Sequence, residues 1–206
     1  MSGDRKFAIL MDGGFVTKKL AERHKKFPNV TDIDAECARI TGHAALSDYT
    51  LLRIYFYDAK PATDQIKNPL DGKIINLGSS PVHARNTSLQ QSLELRQNVA
   101  FRAGETVVHG WQLGYKALAN LAKKAGPLNA KDLVPNVEQK GVDLRIGLDI
   151  ARLSLCKLVD IIVLVTGDSD FIPAMKFARR EGVRVYLDHM NHGVKRDLKV
   201  HADLIL

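Results

Sequence analysis

Five aspartates in this chain, Asp12, Asp143, Asp149, Asp168 and Asp170, have the side chains and the settings to do chemistry together. Asp12 ends an apolar run and precedes two glycines, Asp143 and Asp149 share one amphipathic segment, and Asp168 and Asp170 flank Ser169 just after a second apolar run. Gathered in one place, such carboxylates offer hard oxygen ligands to one or two divalent cations, which activate water and neutralise a phosphate under attack. In so basic a chain, such a gathering suggests an anionic metal pocket set within a cationic, phosphate-binding surface. Each aspartate also has an ordinary structural use. An aspartate just before a helix caps it, and for Asp12 and Asp168 the two uses stand side by side.

The elements that must position these residues are clearest between residues 140 and 188. Ile161–Val165 is a short β-branched run of the kind buried on both faces of a sheet, expected in the middle of that sheet. Thr166 to Asp170 then turn into a helix marked by Phe171, Ile172, Met175 and Ala178. Gly182 stops that helix, and residues 183–187 return as a parallel strand. Asp168 and Asp170 are thus expected at the carboxyl end of a strand, where open α/β sheets hold their ligands. Residues 7–11, followed by Asp12-Gly13-Gly14 and a helix over 15–23, predict a second strand, turn and helix of the same kind. A helix opening at Val142 carries the stripe Val142, Ile146, Ile150 and Leu153. Leu144, Leu148, Ala151 and Leu155 widen it, so most of its surface is expected to be buried. Asp143 lies in its first turn. Asp149 lies mid-helix and needs a partner there, either a metal or a nearby lysine or arginine.

The rest of the pattern alternates strands and helices. A helix is expected over 32–41 and a strand over 51–57, closed by Asp58. Prolines and glycines between Pro61 and Pro81 predict a long surface excursion. A helix over 86–102 containing Leu89, Leu93, Leu95 and Val99, a strand over 106–113 and a helix over 115–124 follow. Lys195, Arg196 and Lys199 fall on a short helix before a terminal strand, and His189 and His192 read as surface residues. This order predicts an α/β fold with a doubly wound, mostly parallel sheet flanked by helices.

With 206 residues, 45% of them hydrophobic, one domain over 1–206 is expected. The formal charge of +7, from 30 basic against 23 acidic residues, suits a polyanionic partner. Cys37 and Cys156 have neither zinc-ligand spacing nor a disulfide framework, which fits a reducing cytoplasm. No signal segment or membrane span is evident.

The segments MDGG, IYFYDAKP, KGVDLRIGLDI and VLVTGDSDFIPAMKFARREGVRV together resemble the NYN domain family, in its LabA-like branch of the PIN-like nucleases, across nearly the whole chain. The resemblance implies a Rossmann-like PIN fold and a Mg²⁺- or Mn²⁺-dependent ribonuclease. Its metal cluster would correspond to Asp12, Asp143, Asp168 and Asp170, with Asp149 a fifth catalytic candidate. Thr166 and Ser169 are expected to bond the carboxylates or a phosphate oxygen, and Lys140, Lys18, Lys19 and Arg23 to contact the RNA backbone. RNA, expected to be single-stranded, is the implied partner, and a homodimer is admitted. Where family members often carry an asparagine shortly after the first aspartate, this chain has Phe15. Two other readings remain beside this one. The first is a module that binds RNA or a protein without cutting. The second is a phosphatase of the haloacid dehalogenase type or a Toprim domain. These would need an aspartate pair, or a glutamate, in the first strand, and Asp12-Gly13-Gly14 matches neither.

Overall fold

The computed structural model describes residues 5–123 and 126–206; Lys124, expected at a helix end, lies outside the described residues. In chain order the strands are β1 Lys6–Asp12, β2 Thr50–Ala59, β3 Gln65–Lys67, β4 Ile74–Asn76, β5 Val99–Leu113, β6 Leu133–Lys140, β7 Ile161–Val165, β8 Arg184–Asp188 and β9 Leu204–Ile205. The helices are α1 Gly13–His24, α2 Val30–Thr41, α3 Pro81–Glu94, α4 Tyr115–Lys123, α5 Val142–Leu155, α6 Ile172–Arg180 and α7 Arg196–Val200. The chain forms two compact units, one of residues up to Asp58 with Leu89–Gly104 and Gly141–Leu206, the other of Ala59–Ser88 and Glu105–Lys140.

A seven-stranded sheet of order β6-β5-β2-β1-β7-β8-β9 runs through the fold. Its central ladder is parallel, with Leu10 beside Tyr55 on one side and Leu164 on the other, and β8 and β9 continue beyond β7. Every residue of β7 is buried, as its unbroken apolar sequence requires of a strand covered on both faces. Phe7, Ile9 and Met11 join Ile161, Val163 and Val165 in a core completed by Val16 and Leu20 of α1 and Ile33 and Ile40 of α2. Alternation sends Ala8 and Leu10 to the opposite face, where α5 packs on β1 and against α6. The chain leaves β1 toward β2 on one side, while β7, β8 and β9 extend on the other. The strand order therefore reverses between β1 and β7, the kind of switch point at which such sheets open a crevice.

In the second unit the outer half of β5 pairs antiparallel with β6, shifting register between Val108 and Trp111 where Gly110 takes a φ of 86°. Trp111 Nε1 donates to the Lys67 carbonyl at 2.9 Å, tying β5 to the β3–β4 hairpin.

The surface excursion between Pro61 and Pro81 is built on the β3–β4 hairpin and a 3₁₀ turn, Leu77–Ser79. Two expectations need correction. The helix expected over 86–102 is α3, which starts at Pro81 and ends at Glu94; Asn98 adopts φ 60°, and Val99 onward is strand. On α5 the stripe Val142, Ile146, Ile150 and Leu153 is buried, but Leu144, Leu148 and Leu155 are 66%, 60% and 59% exposed. The helix buries one face only.

Candidate active site

Two strand–turn–helix corners at the switch point build the site. At the first, β1 ends in Asp12 and α1 begins at once; Asp12 Oδ1 accepts from the Phe15 N–H at 3.2 Å and caps the helix. Gly13 is required there, since a Cβ would stand 2.4 Å from the Tyr57 carbonyl oxygen. At the second, β7 runs into Thr166, Gly167 and Asp168. Asp168 Oδ1 accepts from the Asp170 N–H at 2.9 Å and caps the 3₁₀ turn Ser169–Phe171, which leads into α6.

Thr166 joins the corners. Fully buried, its hydroxyl donates to Asp12 Oδ2 at 3.0 Å and accepts from the Asp168 N–H at 3.2 Å. A hydroxyl has one proton to give and lone pairs to receive with, so the residue's capacity is well used. Gly167 makes room for Phe15, whose Cε2 would lie 2.6 Å from a Cβ at that position.

The electrostatics identify which acids sense one another. Burial raises Asp12 above the ordinary carboxylate range; bonds from the Phe15 N–H and Thr166 pull it back, while Asp143 and Asp168 push it further up. Asp143, exposed in the first turn of α5, is raised by partial desolvation and by Asp168 and Asp170. The charges of Asp143 and Asp168 thus bear on Asp12, and those of Asp168 and Asp170 on Asp143. Among the described residues, however, no three acidic, histidine or cysteine side chains are arranged so that they could hold a metal ion as they stand. The donor set suits a hard cation, and its mutual repulsion is what such a cation would relieve.

Asp149 has partners of its own. Tyr57 donates to its Oδ2 at 2.9 Å, and Arg102 Nε donates to the same oxygen at 3.1 Å. Burial together with the Asp149 charge holds the Tyr57 hydroxyl far above its ordinary range, so it remains a donor. The partner that a mid-helix charge needed is thus an arginine and a tyrosine. Arg23 pairs with Glu36 at 3.1 Å and Lys140 with Glu138 at 2.8 Å.

Lys18 and Lys19 line a cleft of about 410 Å³ together with Asp12, Gly14, Phe15, Gly167, Asp168, Ser169, His192 and Lys195. Lys19 is nearly buried, with its ammonium 2.7 Å from Glu22 Oε2 and 3.2 Å from His192 Nδ1. Lys195 Nζ donates to Ser169 Oγ at 3.4 Å. Phe15, His192 and Lys195 were not among the expected site residues. The two basic residues lie more than twenty positions after Asp168, on a segment with no motif of its own; Phe15 was visible only as a substitution. Asp188, another strand-ending acid, is fully buried, bonded by Arg39 and by the Met190 N–H, and belongs to the framework.

A mostly parallel sheet opening a mixed acidic and basic cleft at its switch point is the layout of a PIN-like α/β domain. The family model for the NYN domain matches residues 97–204, just over half of the chain, and the protein belongs to this family of PIN-like nuclease domains. Among solved structures, a protein of unknown function from Vibrio parahaemolyticus is similar in fold, with a TM-score of 0.54 at 14% identity, covering 100% of this chain and 94% of that one. No curated protein matches. No helix among the described residues is long and apolar enough to cross a membrane.

Proposed function

We infer that the chain is a Mg²⁺- or Mn²⁺-dependent ribonuclease of the LabA-like branch, acting as one domain on single-stranded RNA in the cytoplasm. The observation that carries this reading is the cleft in which Asp12 and Asp168 share one space with Lys18, Lys19 and Lys195. A phosphodiester under attack needs negative ligands for a cation on one side and positive donors for its own oxygens on the other. Asp12, Asp143 and Asp168 would hold the ion, with Asp170 completing a second position. When bound, the ion supplies a water of lowered pKa and neutralises charge developing on the phosphate.

The chain's own residues do the rest. The Phe15 N–H and the Thr166 hydroxyl fix both oxygens of Asp12, so the carboxylate is oriented before any ligand arrives. The Asp170 N–H orients Asp168. Lys18 holds a phosphate oxygen of the strand. Asp149 positions α5, and with it Asp143, through Tyr57 and Arg102.

The test is cleavage of an unstructured fluorescent RNA with Mn²⁺, Mg²⁺ or EDTA, beside Asp168→Asn checked for folding by circular dichroism. Metal-dependent cleavage that the folded variant lacks is expected. One observation favours a second reading, a module that binds RNA without cutting it: the aspartates are not drawn together into a ready chelate. Salt-dependent RNA binding without cleavage in any metal would establish that reading instead.

A further inference from the structure

The segment that follows β8 supplies donors to the cleft to which the ribonuclease reading gives no particular contact. Met190 and Asn191 take φ values of 50° and 59°, and this turn brings His192 and then Lys195 to the cleft wall. Neither Lys18 nor Lys195 is in an ion pair among the described residues. Both are cations free to meet an anion. Lys19 differs, because Glu22 and His192 hold its ammonium in place.

That contact also assigns hydrogen-bonding roles to the two His192 nitrogens. An ammonium has only protons to give, so Nδ1 accepts, and a ring accepting at Nδ1 carries its proton on Nε2. The Phe15 ring is packed where a Cβ on Gly167 would fall. It lies 6.3 Å from the His192 ring and 6.0 Å from Lys19 Nζ, and so braces both. Apart from Asp12 and Asp168, the polar side chains lining the cleft are Lys18, Lys19, Lys195, Ser169 and His192, all able to donate. A wall of donors that includes unpaired cations is matched by a phosphate and by little else among nucleic-acid groups.

We propose that His192, Lys195 and Ser169 form a subsite for one phosphate of the substrate strand next to the bond that is cut, so that the enzyme prefers substrates carrying a phosphate beyond the scissile one. The proposal rests on the ribonuclease reading for the identity of the strand. The subsite binds, Phe15 positions it, and Asp12 and Asp168 lie beside it.

Affinity and cleavage test it separately. The probes are a dinucleoside monophosphate and the same dinucleotide with an added 5′- or 3′-phosphate, titrated calorimetrically onto the wild type and onto Lys195→Ala, His192→Ala and Lys176→Ala. One of the phosphorylated probes is expected to bind about tenfold or more tighter than the unphosphorylated one, the size of one or two charge-assisted hydrogen bonds. That ratio falls toward one in Lys195→Ala and His192→Ala, and it persists in Lys176→Ala, whose side chain lines a different cleft. In cleavage assays the gain lies in KM, because the subsite holds substrate and transition state alike. Equal affinity for all three probes, or a preference that survives in both Lys195→Ala and His192→Ala, overturns the proposal. Absence of cleavage of these probes and of longer RNA in any metal, with the affinity ratio intact, overturns the ribonuclease reading and leaves the phosphate subsite standing.

Discussion

Replacing Thr166 with valine removes one hydroxyl and almost no volume, which isolates the link between the two corners of the site. The residue is fully buried, so no water takes the hydroxyl's place. Two hydrogen bonds vanish, one to an ionised carboxylate and one from the Asp168 N–H. The first is worth about 1.5–3 kcal/mol and the second about 0.5–1.5 kcal/mol, so Thr166→Val is expected to lose about 2–4.5 kcal/mol near neutral pH. The two parts differ in their pH dependence. Asp12 is already raised above its ordinary 3.8 by burial, and the Thr166 bond is one of the forces lowering it. A raised carboxyl costs the folded state stability as pH climbs from the unfolded value through the folded one, and that cost is absent in acid where the group is protonated in both states. Without Thr166 the cost grows. The gap between variant and wild type is therefore widest above this window and narrows below it to the part owed to the Asp168 N–H. Urea unfolding across the acidic range and at neutrality measures the gap, with Thr166→Ser restoring most of the loss. Equal stabilities near neutral pH, or a gap that does not change with pH, would refute the reasoning.

Gly167→Ala drives a Cβ into the Phe15 ring and should cost about 1–3 kcal/mol in thermal or urea unfolding, with the cleft disturbed as well. Arg102→Met removes one of two donors to Asp149; because the arginine is partly exposed, the expected loss is about 1 kcal/mol, read from urea midpoints, and cleavage should fall as the hold on α5 and Asp143 loosens. Burial pushes the Cys37 thiol up to about 12, whereas Cys156 is exposed. A thiol reagent at mildly alkaline pH should therefore label Cys156 alone in the native protein and both cysteines in denaturant. Because burial and neighbouring acids raise both Asp12 and Asp143 in the metal-free protein, protons should compete with the cation at a higher pH than for ordinary carboxylates, so the metal concentration giving half-maximal cleavage should rise as pH falls.

The two corners were legible because each is written locally: an unbroken apolar strand, an aspartate, a small residue and a helical repeat. What was not legible depends on residues remote in sequence or on a single backbone angle. The helix expected through Arg102 stops at Glu94, and Asn98, a residue that tolerates the left-handed region, then turns the chain into β5; Leu89 and Leu93 keep helical spacing up to the helix end and give no warning. The outer leucines of α5 look like core by spacing, yet which face of a helix meets the sheet is set by the sheet. Asp149 plainly needed a partner, but its partners come from β2 and β5 and no local pattern names them. The spacing of His189 and His192 pointed to surface residues, and only the fold sets His192 against Lys19.

The hydrogen bond between Thr166 and Asp12 spans 154 residues of sequence. Loop closure of that length comes late in folding, once the intervening chain has been made and β7 has found its place beside β1. A nascent chain that has not yet reached Asp168 holds Asp12 but none of the corner opposite it. The proposed catalytic centre therefore cannot form until Asp168 has been synthesised and β7 has docked beside β1.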